Sequence, residues 1–247
     1  MRRIMMMVFR LFFKAPYYIG RIWWCGRSDK ASLEDGYRWC QYSTRKANQA
    51  GKVTIDCRGT ENLPKENGFI MFPNHQGMFD MLAFLETCPR PFSFVIKKEA
   101  SKIILLKQVI EATRSLSIDR KDLRQSMKII QTMTEEVRHG RNFLIFAEGT
   151  RSREGNKILD FKAGSFKSAV KAKCPIVPCA LIDSFKPFDE KSVKPVTVKI
   201  RYLCPLYYEE YKDMTTVEIA SEVRRRIGTA IEKESNPQIS ASTINKA

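Results

Sequence analysis

Seven short apolar or β-branched runs, separated by segments of helical spacing, constrain this fold most: Val53–Ile55, Gly68–Phe72, Phe92–Ile96, Leu116–Ile118, Asn142–Phe146, Ile176–Ile182 and Val196–Leu203. Strands that alternate with helices are best accommodated by an α/β architecture, with a largely parallel central sheet flanked by helices. Asp122–His139 carries the clearest helical stripe, with Leu123, Met127, Ile130, Thr134 and Val137 on one face and Gly140 beyond its end. Thr215-Thr216-Val217-Glu218 reads as a capping box that opens a second helix through Ile219, Val223, Ile227 and Ile231. A chain of 247 residues with 43% hydrophobic content can bury one full core, and no repeat or long linker divides it.

The chemistry concentrates at the ends of two of these runs. In Phe72-Pro73-Asn74-His75-Gln76-Gly77-Met78-Phe79-Asp80, His75 and Asp80 are five positions apart. In one continuous helix they would point about 140° away from each other. Pro73 and Gly77 instead predict a turn, with His75 on a loop after a buried strand and Asp80 at the start of the next helix. A carboxylate bonded to one imidazole nitrogen fixes the tautomer and leaves the other nitrogen free to take a proton, which makes a general base. The bland alternative is a capping Asp and a polar loop His.

The second segment, Phe146-Ala147-Glu148-Gly149-Thr150-Arg151-Ser152-Arg153, follows the run from Asn142. It puts a carboxylate, a flexible backbone and a planar cation just past a strand, where open α/β sheets bind ligands. Together the two segments resemble the glycerophospholipid acyltransferase family, whose members carry an HX4D and an EGTR motif, and within it the 1-acylglycerol-3-phosphate acyltransferases. Leu116-Ser117-Ile118-Asp119-Arg120 and Cys174-Pro175-Ile176-Val177-Pro178 are similar to two further blocks of that family. The resemblance spans roughly residues 55 to 205. The chain departs from it at Arg114, where the family usually has Gly, and at Ala147, where it usually has Pro.

The resemblance implies transfer of an acyl chain from an acyl thioester, acyl-CoA or acyl carrier protein, to the sn-2 hydroxyl of lysophosphatidic acid, forming phosphatidic acid in phospholipid biosynthesis. His75 would be the base and Asp80 its orienter. Arg120 and Arg151 would clamp the phosphate, with Lys97 as a third cation, and Glu148, Gly149 and Thr150 would complete the acceptor site. Glu148 is expected to bond acceptor hydroxyls or hold Arg151, with its pKa lowered by nearby cations. An acyl thioester is already activated, so no cofactor, metal or enzyme nucleophile is expected. Glycerol-3-phosphate or another lysophospholipid is the rival acceptor, and a non-enzymatic basic protein binding anionic membrane or nucleic acid is the rival class.

The net charge of +16 calls for an anionic partner. Residues 1–30 hold seven basic residues (Arg2, Arg3, Arg10, Lys14, Arg21, Arg27, Lys30) against one acid, Asp29, interleaved with Met, Phe, Tyr and Trp. The basic residues interrupt the apolar runs before any reaches the ~20 residues that span a bilayer. Residues 1–30 are therefore expected to form an amphipathic two-helix motif broken near Pro16 and Gly20, lying on anionic lipids. The catalytic domain would be 31–234, with a polar, disordered tail over 235–247, and removing residues 1–27 would detach the protein from vesicles while leaving the α/β core folded. The location implied is monotopic, on the cytoplasmic face of a bacterial inner membrane, with no nucleic-acid partner.

Seven cysteines without a CxxC pair fit neither a disulfide framework nor a zinc site, and Cys174 and Cys179 read as core residues. His139 belongs to the end of its helix, and two histidines in all do not suggest a catalytic metal centre. Gly149–Lys157 is not a phosphate loop, because position 154 is Glu where a second Gly is required.

Overall fold

The computed structural model describes residues 2–236 apart from 100, 102, 120 and 121, so the expected phosphate contact Arg120 and the tail from 237 lie outside the described residues. Three helices come first: α1 (Arg2–Arg10), α2 (Ala15–Arg27) and α3 (Leu33–Ala50). There follow β1 (Val53–Arg58), β2 (Ile70–Pro73), α4 (Asp80–Thr87), β3 (Phe92–Lys97), α5 (Ile104–Ala112), β4 (Leu116–Ile118), α6 (Leu123–Arg138) and β5 (Asn142–Leu144). The chain continues through α7 (Lys167–Ala172), β6 (Ile176–Ile182), the single turn α8 (Lys186–Asp189), β7 (Val196–Tyr202), the single turn α9 (Tyr208–Tyr211) and α10 (Thr216–Ser235).

The seven strands pair in one sheet in the order β1-β7-β6-β2-β5-β3-β4. β6, β2, β5, β3 and β4 run parallel, while β7 is antiparallel to β6 and carries β1 parallel to itself. Side chains alternate across a strand, so one run can feed two cores. In β2 and the residue before it, Phe69 and Met71 join the layer with Tyr37, Ala83 and Phe84, whereas Ile70 and Phe72 join Phe166, Ile219 and Val223. All four β2 side chains are fully buried, because helices cover both faces of the sheet. Residues of α1 to α5 pack on one face and residues of α6, α7 and α10 on the other.

The helix ends follow from their caps. Asp122 accepts a hydrogen bond from the Gln125 N–H at the start of α6, and Thr215 with Glu218 forms the expected capping box of α10. His139 closes α6, its Nδ1 lying 2.7 Å from the Glu135 carbonyl. All seven cysteines are free; Cys174 and Cys179 are buried, and burial pushes the Cys174 thiol up to about 12. Within the run Asn142–Phe146 the strand ends at Leu144, although the Ile145 N–H still bonds the Met71 carbonyl of β2 at 2.9 Å.

The N-terminal helices differ from expectation. The break falls at residues 11–14, Pro16 lies in the first turn of α2, and Gly20 sits inside that helix. Pro is tolerated in a first turn because its missing N–H would have no partner there. Nor is the segment a separable attachment. Met7, Tyr18, Ile22 and Cys25 are buried, and Met7 and Ile22 join the core of the catalytic layer. Arg3, expected to meet lipid phosphates, is 2% exposed and donates to the carbonyls of Pro187, Gly51, Ser192 and Lys194 at 2.5–3.1 Å. Residues 1–27 thus contribute part of the core that their removal was expected to leave intact.

Their other face is open. Met5, Val8, Phe9, Phe12, Phe13, Tyr17, Trp23 and Trp24 are exposed, Phe13 to 93%. The Arg21 guanidinium lies over Trp24 and Trp39, and that of Arg27 over Trp23. Among the described residues no helix is long and apolar enough to cross a membrane.

Arg114 explains one departure from the family pattern: its φ is +49°, a left-handed backbone that Gly adopts without strain and a residue with a Cβ does not. Arg114→Gly is expected to raise stability by about 1 kcal/mol, read from the denaturant midpoint at unchanged slope. A lower midpoint would mean that the Arg side chain outweighs the strain.

Candidate active site

β6, β2 and β5 are parallel neighbours, so the three loops that leave their carboxyl ends, 74–79, 145–153 and 183–185, converge on one edge of the sheet. Asp80 opens α4 and is fully buried. Its Oδ2 lies 2.7 Å from His75 Nδ1 and accepts the Gln76 N–H at 2.7 Å. The Gly77 N–H points at both carboxylate oxygens, and the Ser184 hydroxyl donates to Oδ1 at 2.6 Å. A carboxylate can only accept, so His75 Nδ1 must carry the proton in this contact and Nε2 is left with its lone pair. The imidazole retains 22% exposure against 1% for the Asp80 side chain, and Nε2 makes no hydrogen bond among the described residues. Phe146 covers one face of the ring, with centroids 4.1 Å apart and planes 22° from parallel.

Gly77 passes close to its neighbours: a Cβ there would lie 3.1 Å from both the Phe185 Cα and an Asp189 carboxylate oxygen. It would require the Phe185 backbone or the Asp189 side chain to give by a few tenths of an ångström.

Glu148 sits in different surroundings from those expected. Its carboxylate is 2% exposed and is taken up by two backbone donors, the His75 N–H at 2.6 Å and the Leu159 N–H at 3.0 Å. Burial pushes its carboxyl up despite those bonds, opposite to the lowering anticipated from nearby cations. Glu148 therefore pins the histidine loop to the segment after the second motif. The Ser152 N–H completes the closure by donating to the His75 carbonyl at 2.9 Å. Gly149 sits between at φ +75°, and its N–H bonds the Phe146 carbonyl.

Arg151 lines a cleft of about 370 Å³ together with Arg153, Gly155, Phe185 and Asp189. Thr150 is exposed on the same loop. Lys97 is not brought into this cleft: it is exposed at the end of β3 and lies 3.5 Å from Glu99. Among the described residues no group of His, Cys, Asp and Glu is arranged to hold a metal ion.

Residues 54–182 match the family model described as Acyltransferase, which is more than half of the chain. The chain belongs to the acyltransferase family. It is 29% identical over 167 residues to a 1-acyl-sn-glycerol-3-phosphate acyltransferase of Helicobacter pylori, an alignment covering 62% of this chain and 70% of that one. A protein of the same description from Borreliella burgdorferi is 31% identical over 132 residues, 53% of this chain and 52% of the relative. A crystal structure of the 1-acyl-sn-glycerophosphate acyltransferase of Thermotoga maritima superposes with a TM-score of 0.77 at 22% identity, covering 94% of this chain and 96% of that one, and so shares the fold. This acyltransferase thus has the sheet expected from its sequence, with the HX4D and EGTR segments on adjacent loops.

Sequence reasoning missed Gln76, Phe146, Asn156 and Ser184. Gln76 donates to the Asn156 side chain at 2.8 Å and accepts the Ser184 N–H at 2.8 Å, so it ties the His75 loop to the segment after the second motif and to the loop after β6. For Gln76 and Ser184 the available signal was a polar residue just beyond a strand end, but strand order is needed before those ends can be called neighbours.

Proposed function

We propose that this acyltransferase acylates the sn-2 hydroxyl of lysophosphatidic acid with an acyl thioester, acyl-CoA or acyl carrier protein, and so makes phosphatidic acid for phospholipid biosynthesis. The observation that carries this reading is the buried Asp80 carboxylate holding His75 Nδ1, on a loop whose His75 carbonyl accepts the N–H of Ser152, the neighbour of the cleft-lining Arg151. The relatives' descriptions support the acceptor.

In the reaction, Nε2 of His75 takes the proton of the acceptor hydroxyl as its oxygen attacks the thioester carbonyl carbon. The C–S bond of the tetrahedral intermediate breaks, and the leaving sulfur takes the proton back from the imidazolium, which Asp80 stabilises. Both substrates are bound together, with no acyl-enzyme. The thioester supplies the activation, so the chemistry calls for no metal, nucleotide or redox group. Arg151 suits the phosphate monoester because its guanidinium can donate two parallel bonds. The exposed aromatic side chains of the N-terminal segment, flanked by cations, support a monotopic seat on an anionic membrane, taken in this reading to be its cytoplasmic face.

Protein reconstituted in anionic vesicles is expected to release thiol from acyl-CoA or acyl carrier protein only when lysophosphatidic acid is added. Thiol release that is faster with glycerol-3-phosphate or another lysophospholipid would overturn the acceptor, and release independent of any acceptor would overturn the transfer reaction.

A further inference from the structure

We propose that Ser184 is a positioning residue of this site: its buried hydroxyl fixes the second oxygen of Asp80 and so governs how strongly that carboxylate holds the imidazole of His75. The inference rests on the His75–Asp80 reading given above.

Three observations carry it. The Ser184 hydroxyl is fully buried and donates to Asp80 Oδ1 at 2.6 Å, a short charge-assisted bond on the oxygen whose other contact is the Gly77 N–H. The residue before it, Asp183, has φ +63°, a left-handed conformation that an L residue keeps only when its surroundings enforce it. Those surroundings come from the two motif loops. Asn156 accepts the Asp183 N–H at 2.8 Å and donates to its carboxylate at 3.1 Å, while Gln76 accepts the Ser184 N–H. A strained turn held by three hydrogen bonds from two separate loops has one clear local product, the aim of a hydroxyl at Asp80.

The consequence is chemical. With one donor fewer, the carboxylate keeps more negative charge facing the imidazole, favours the imidazolium, and leaves less of the neutral base at a given pH. The charged groups around the dyad stay in place when Ser184 is changed. These are Glu148 on the His75 N–H, Asp183 paired with Lys186 at 2.9 Å, Asp189 beside Gly77, and Arg151 with Arg153 on the loop whose Ser152 N–H bonds the His75 carbonyl.

Ser184→Ala in the full-length protein is expected to lower kcat about threefold at neutral pH and up to about tenfold on the acid side, with the acceptor KM within about twofold. The acid limb of its kcat/KM profile should move up by roughly one pH unit, so that activity returns as the pH rises. A uniform loss at every pH, or no loss, would assign Ser184 a packing role and overturn the proposal. If the Ala variant does not fold, Ser184→Cys, nearly isosteric and a weaker donor, carries the same test with a smaller shift in the same direction, and an unmoved limb refutes it. His75→Ala in the same assay separates the two ideas. If it stays active the general-base reading fails, whereas an inactive His75→Ala beside an unshifted Ser184 variant sinks the Ser184 proposal alone.

Discussion

Asp80→Asn is expected to lower kcat by roughly a thousandfold or more while the protein stays folded and acceptor KM changes little. Every direction from the Asp80 carboxylate meets a donor: His75 Nδ1, the Gln76 and Gly77 N–H groups and the Ser184 hydroxyl. An amide of the same shape must point its NH2 at one of these sets. If it faces His75, Nδ1 becomes the acceptor, the proton moves to Nε2, and the nitrogen that should accept from substrate is blocked. If it faces Ser184, that hydroxyl can turn to accept, but the Gly77 N–H is left opposed and a neutral carbonyl no longer stabilises the imidazolium. The first arrangement removes the base, and the second leaves it without the charge that stabilises its protonated form. Steady-state kinetics with a thermal melt as the folding control make the check, and a kcat within tenfold of the parent would remove Asp80 from the mechanism.

Removing residues 1–27 is expected to unfold the domain, or reduce it to an aggregation-prone state, rather than release a soluble enzyme. Tyr18 and Ile22 are almost wholly buried, and covering side chains of this size is worth about 1.5–3 kcal/mol each. Arg3 bonds four backbone carbonyls, that of Gly51 at the end of α3 and those of Pro187, Ser192 and Lys194 between α8 and β7, and each such bond contributes about 0.5–1.5 kcal/mol net. The combined loss approaches the ~5–15 kcal/mol that holds a typical domain together. Circular dichroism and limited proteolysis of the truncated chain are the measurements. A cooperative melt within a few degrees of the full-length midpoint would show that these helices dispensably cover the core. Exposed residues of the same segment allow a gentler separation of anchoring from folding: Phe9 on α1 and Phe12 and Phe13 in the break after it are exposed, and changing them to Ser should weaken vesicle binding with little change in the melt.

All seven strands were legible because each is a short apolar run bounded by turn residues, and a buried parallel sheet admits little else. The limits of α6 and α10 were legible because Asp122, Thr215 and Glu218 announce caps by local chemistry. What local pattern could not supply was which face of an amphipathic helix meets protein. In α2 the same aromatic and basic composition serves both sides, so Tyr18 and Ile22 lie inward while Trp23 and Trp24 stay in solvent. Arg3 is the sharper case, since a cation among apolar residues looks like a lipid contact until the four carbonyls that surround it are assembled from residues 51 and 187–194.

The same limit applied at the site. His75 and Asp80 are near in sequence, and their contact follows from one turn. Ser184 reaches Asp80 only because β6 is hydrogen-bonded beside β2, and the burial that raises the Glu148 carboxyl arises from packing rather than from its charged neighbours in sequence.

β1 has its partner at the far end of the chain, with Val53 opposite Val196, and Arg201 on β7 reaches back to Asp56 at 2.7 Å. On a ribosome adding about 5–20 residues per second, the first strand emerges many seconds before the one that shelters it. The nascent protein therefore spends that interval with an open strand and an unclaimed Arg3, and its aromatic helices are in solution well before the enzyme can close.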